Sequence, residues 1–127
     1  MSQGNVDTMR RLYEANTPDA LIGVLAEDCV WISDPSMPGG GTYRGKSDIR
    51  AYIEELFIFD GGAIEVHEIA DLGERVLGVT TFRSGPKEGP AVEWIWCQLV
   101  TFREGLITEL RSFLDEDAAR KAAGLSE

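Results

Sequence analysis

Val6, Met9 and Tyr13 recur at spacings of three and four, with Asp7, Arg10, Arg11 and Glu14 between them. That spacing predicts an amphipathic helix. Thr17-Pro18 reads as a cap followed by a first-turn proline, and Leu21, Ile22 and Leu25 give a second helix its apolar face. Cys29 to Ser33 is a short β-rich run. A loop from Pro35 to Gly45 follows, with Gly39-Gly40-Gly41 as its flexible part. Ile49, Ile53, Leu56 and Phe57 then form a third helical stripe, which Gly61-Gly62 ends.

The period changes in the second half. "AIEVHEIADLGERVLGVTTFRSG" reads as two strands around Leu72-Gly73-Glu74, and "AVEWIWCQLVTFREGLITELRSFLD" as two longer strands joined at Arg103-Glu104-Gly105. "EDAARKAAGLSE" reads as a short terminal helix or tail, with Asp115 as its N-cap. The expected architecture is α+β: one domain over residues 1–127, with three helices from the first half laid on a curved antiparallel sheet.

The long strand sets its own phase. Trp94, Trp96, Gln98, Val100 and Phe102 share one face, bulky and aromatic, and are expected to turn toward the helices. Glu93, Ile95, Cys97, Leu99 and Thr101 share the other face, polar at its ends and apolar at its centre. Such a face suits a subunit interface, so a homodimer through the outer sheet face is expected.

Charge narrows the partners. With 22 acidic and 12 basic residues the formal net charge is −10, and no basic patch exists for nucleic acid or an anionic membrane. Cys29 and Cys97 lie far apart in apolar runs, without CxxC spacing, and read as buried thiols of a reducing compartment. The first residues hold no apolar signal core, and no segment reaches the length of a membrane span, so a cytoplasmic location is expected.

The order of elements, "LAEDCVWISDP", "YRGKSDIRAYI" and "VTFREGLITELRSFLD" resemble the SnoaL-like branch of the nuclear transport factor 2-like superfamily. The resemblance covers nearly the whole chain. It implies a cone: a curved sheet wrapped by helices around a mostly apolar cavity, commonly dimeric. The superfamily includes ketosteroid isomerases, polyketide cyclases, epoxide hydrolases and non-catalytic binding or transport modules, so fold alone does not choose a function.

Asp34-Pro35 falls where ketosteroid isomerases carry their catalytic base. Carried over, Asp34 would move a proton beside a ketone, and Gln98, at the position of their protonated aspartate, would polarise the oxygen together with Tyr13 of the first helix. The supporting tyrosine of the third helix is replaced by Ile53. The epoxide hydrolase pattern is not met, since the last strand offers Arg111-Ser112 and "RVLGVTTF" has no Asp after its Arg. Trp31, Phe57, Trp94, Trp96, Leu110 and Leu114 are expected to shape the cavity around a small hydrophobic ligand, with no cofactor.

Bland alternatives stand beside these roles. Asp34 before proline is also a common turn arrangement. Against that, Val30, Ile32 and Asp34 alternate, so an inward Val30 and Ile32 would aim Asp34 into the cavity, where burial would raise its pKa. Gln98 among tryptophans and Phe102 needs hydrogen-bond partners that an apolar wall lacks. His67, the single histidine, is expected outside the cavity. Without a second histidine or acids at ligand spacing no metal site is expected, and Ser33, Ser47 and Ser112 have no histidine placed to activate them, so no Ser-His-Asp arrangement is expected. Two functions remain open: Asp34-based isomerase or cyclase chemistry, and a non-catalytic binding module.

Overall fold

The structure is a computed structural model that describes residues 2–36, 40–55, 63–84 and 92–125. The stripe of Val6, Met9 and Tyr13 becomes α1 (Ser2–Ala15), and α2 (Pro18–Ile22) starts as the sequence predicts. Thr17 is its N-cap, with the side chain accepting from the Ala20 amide, and Pro18 takes the first turn, where its missing N–H has no cost. Then come β1 (Leu25–Ile32), β2 (Thr42–Arg44) and α3 (Gly45–Glu55). The second half supplies β3 (Ala63–Asp71), β4 (Arg75–Ser84), β5 (Val92–Arg103), β6 (Leu106–Phe113) and α4 (Glu116–Ala122). Leu56, Phe57 and the Gly61-Gly62 stop lie outside the described residues.

The six strands form one sheet in the order β2-β1-β6-β5-β4-β3. Every neighbouring pair is antiparallel except β1 and β6, so the sheet is mixed where the sequence predicted antiparallel pairing throughout. The connection is topological: β1 enters after two helices, and the chain returns to its side only at β6. β2 sits inside the segment expected to be loop. The turn between β5 and β6 puts Glu104 at φ 54° and Gly105 at φ 83°, the left-handed pair that matches the twist of a two-residue hairpin.

Two apolar clusters divide the molecule by sheet face. The larger joins Val6 and Met9 of α1, Leu21, Trp31, Ile49 and Ile53 to the inner face of β4 and β5 through Val76, Phe82, Trp96, Val100 and Phe102. The predicted phase of β5 holds. The smaller cluster lies on the opposite face, where Leu77, Val79, Cys97 and Leu99 are covered by Ala119 and Ala123 from and just beyond α4. Arg120 pins this helix by pairing with Glu68 of β3 and with Glu116 at 2.9 Å. The centre of the outer face, expected to serve a second subunit, is thus buried by the chain's own C-terminal helix.

β1 turns inward the face that does not carry Asp34. Cys29, Trp31 and Ser33 are buried, whereas Val30, Ile32 and Asp34 are only partly so. Trp31 carries far more apolar surface than Val30 or Ile32, and its burial decides which side turns inward. Ser33 follows it in because the Tyr52 hydroxyl, 2.6 Å away, satisfies its own.

Candidate functional site

A cavity lies between α1, α2 and the inner sheet face. α1 contributes Met9, Leu12 and Tyr13, and the turn into α2 contributes Asn16 and Thr17. Trp31, Trp96, Gln98, Val100 and Leu110 form the sheet wall. Counted as space open to the centre of a water molecule it measures about 50 Å³. One water needs about 10–15 Å³ by this measure, so the space suits a compact molecule rather than a large ring system. No charged side chain is among the lining residues.

Its polar end is built by Tyr13 and Gln98, which the fold brings together across 85 positions of sequence. The orientation of the buried Gln98 amide follows from its other partner. Nε2 lies 3.1 Å from the Trp96 carbonyl, which can only accept, so Oε1 is the atom turned to Tyr13 and the phenol must donate to it. The Trp96 carbonyl also accepts from Thr80 Oγ1 at 2.5 Å, which anchors it from the other side. Burial pushes the Tyr13 phenol far above the ordinary tyrosine value, so it stays protonated. Its single proton is committed to Gln98. What remains toward a ligand is one N–H of Gln98, since the Tyr13 oxygen is seated against the sheet.

Two of the lining residues are tryptophans whose indole nitrogens lie just beneath the cavity surface, and Trp94, outside the lining, has its indole nitrogen in the same state. The indole nitrogens of Trp31 and Trp96 are buried and have no hydrogen-bond partner among the described residues. The two side chains are 1% and 4% exposed, so water does not reach them freely. Leaving an indole N–H without an acceptor costs free energy, on the order of 1–3 kcal/mol for a buried donor. This wall is therefore rich in donors and poor in charge.

Asp34 is placed differently. It is not among the residues lining the cavity. Its Oδ1 accepts from the Ser36 amide at 2.9 Å and the Ser36 hydroxyl at 2.5 Å, and its Oδ2 accepts from the Leu114 amide at 3.1 Å. Its own amide donates to Ser112 Oγ. The residue thus makes a local turn and fastens the end of β1 to the end of β6. Burial pushes the carboxyl up, but the hydrogen bonds from Ser36 and Leu114 outweigh it and hold the pKa below the ordinary aspartate value. This is the reverse of the expected rise.

Of the other predicted residues, Trp31, Trp96 and Leu110 line the cavity, while Trp94 and Leu114 pack against the core beside it. Phe57 falls outside the described residues. His67 is exposed on β3, 2.6 Å from Thr81 Oγ1, away from the site as expected. No group of His, Cys, Asp and Glu among the described residues could hold a metal ion. Among the described residues no helix is long and apolar enough to cross a membrane. The sequence reading missed Gly78, whose signal was an isolated glycine inside a strand run, a common sign of close approach.

The profile of the SnoaL-like domain matches residues 6–110. The chain belongs to the SnoaL-like domain family. No curated protein matches it. Among solved structures, a nuclear transport factor 2-like protein of unknown function from Burkholderia pseudomallei is similar at 21% identity and a TM-score of 0.77, over 93% of this chain and 95% of that one. TerC, co-crystallised with polyporic acid, is similar at 18% identity and a TM-score of 0.75, over 95% and 98%. A protein of ketosteroid isomerase-like fold from Catenulispora acidiphila, in complex with trimethylamine, is similar at 17% identity and a TM-score of 0.71, over 94% and 93%. At these identities the likeness establishes the SnoaL-like fold and leaves the activity to the site itself.

Proposed function

We propose that this SnoaL-like chain binds a compact, uncharged, largely apolar molecule bearing a hydrogen-bond-accepting oxygen, such as a small ketone or lactone. The observation that carries this reading is an uncharged cavity lined by Trp31 and Trp96, whose buried indole N–H groups have no partner among the described residues and would meet a ligand oxygen after a small shift of the rings. A carbonyl oxygen would satisfy them, whereas an anion would find no cation and an ammonium no carboxylate. Two of the solved relatives were crystallised with small organic molecules, which supports a ligand role for such cavities without naming this chain's ligand.

The direct test is titration with cyclohexanone, followed by tryptophan fluorescence. Saturable binding is expected. Trp96→Phe keeps an aromatic ring, though a smaller one, and drops the N–H, and should weaken binding about fivefold to tenfold, the worth of one buried hydrogen bond. Unchanged affinity in both Trp31→Phe and Trp96→Phe would refute the reading.

A second reading keeps Asp34 as a general base for isomerase or cyclase chemistry. Its position directly after β1 and before Pro35 favours this reading; its three accepted hydrogen bonds and lowered pKa favour binding without catalysis, because both make a weaker base at neutral pH. Cyclohex-3-enone is small enough for the cavity and absorbs differently once conjugated. Turnover that Asp34→Asn abolishes would decide for catalysis. A homodimer would have to use what α4 leaves open on the outer face, and sedimentation at several concentrations tests for it.

A further inference from the structure

Gly78 stands in the middle of β4, directly opposite Gln98 in the β4–β5 register, between the inward-facing Val76 and Thr80. Its backbone does not require glycine, because it is not among the positive-φ positions. Its space does. A Cβ at this position would lie 1.9 Å from the Tyr13 hydroxyl oxygen, 3.0 Å from Tyr13 Cζ and 3.2 Å from Gln98 Oε1. The first distance is impossible for two non-bonded atoms, so the Tyr13 hydroxyl occupies the volume that any other residue would fill. Glycine weakens a strand interior, and here the gain against that cost is the close approach of the phenol to the sheet.

We propose that Gly78 is a positioning residue of the ligand pocket: its missing side chain seats the Tyr13 hydroxyl against β4, which commits that proton to Gln98 and leaves the pocket selective for a hydrogen-bond acceptor. The selectivity half rests on the binding reading above; the seating half does not. A side chain at position 78 pushes the phenol off the sheet toward the cavity. Gln98 Oε1 then loses its donor and becomes an acceptor inside the pocket. The preference among neutral ligands moves from acceptors toward donors, and the displaced ring takes up part of the space.

Three variants test both halves: Gly78→Ala, Tyr13→Phe and the two combined. In urea unfolding, Gly78→Ala should lower the midpoint strongly with Tyr13 in place and far less once Tyr13→Phe has removed the oxygen. The ratio of cyclohexanone to cyclohexanol affinity should fall at least fivefold in Gly78→Ala. If Gly78→Ala does not fold but the combined variant does, the seating half is supported. Equal midpoint losses with and without the Tyr13 hydroxyl, or failure of both alanine variants to fold, would overturn it. An unchanged ketone-to-alcohol ratio would overturn selectivity. No response to either probe in the wild type would overturn the pocket reading and selectivity with it, while the unfolding comparison still decides the seating.

Discussion

Tyr13 and Gln98 show how a polar pair can be held inside an apolar wall. Each satisfies the other, and the Trp96 carbonyl removes the ambiguity of the amide. Tyr13→Phe should therefore cost about 1–2 kcal/mol, because it leaves Gln98 Oε1 buried without its donor, and urea unfolding will measure it. Asp34 calls for a different argument. A carboxyl whose folded pKa lies below its unfolded value adds stability above the unfolded value, about 3.9, and loses it as pH falls through the folded one. Asp34→Asn should be less stable than wild type at pH 7, on the order of 1 kcal/mol, with the gap closing below about pH 4. A gap that persists at pH 2 would mean the charge is not what the Ser36 and Leu114 donors hold. The need of Gln98 for partners was legible in the sequence, since an amide among tryptophans must be satisfied. The fate of Asp34 was not: its Leu114 donor lies 80 positions away, and only the parallel β1–β6 pairing brings it near.

Among the elements, α4 changes the molecule most. The sequence left the C-terminal segment as a short helix or tail with Asp115 as its cap, and showed the apolar centre of the outer face of β5, but no pattern tells whether such a face meets another chain or its own tail. Small alanines at 119 and 123 fit closely over Cys97 and Leu99, and the Arg120 pairs fix the angle. Burial is the largest cause that pushes the Cys97 thiol up to about 11, and the Cys29 thiol likewise, so both should be inert to Ellman's reagent at neutral pH. Removing residues 116–127 should make one thiol, Cys97, reactive and leave Cys29 silent. If Cys97 stays silent, α4 is not its cover. β1 teaches a complementary lesson about phase. Alternation alone left either face of β1 free to turn inward, and the largest apolar side chain, Trp31, decides the side.

For the whole molecule, the order of helices and strands was readable apart from β2, a three-residue strand inside the Gly-rich loop, because each of the other elements carries its own period, cap or turn residue. The cavity was readable only through the family resemblance, because its walls come from α1, α2 and four strands, which meet only in the folded chain. Its chemistry depends on what the fold leaves unpaired: indole N–H groups of Trp31 and Trp96, one N–H of Gln98, and no charge. The most direct measurement of that chemistry is a nitrogen–proton correlation spectrum of the labelled chain as cyclohexanone is added. Saturable shifts of the Trp31 and Trp96 indole signals and of the Gln98 side-chain amide are expected, with the amides of Ala119 in α4 and Ala123 just beyond it unmoved. Shifts confined to the outer face, or indole signals that stay in place while the ketone binds, would contradict the binding reading.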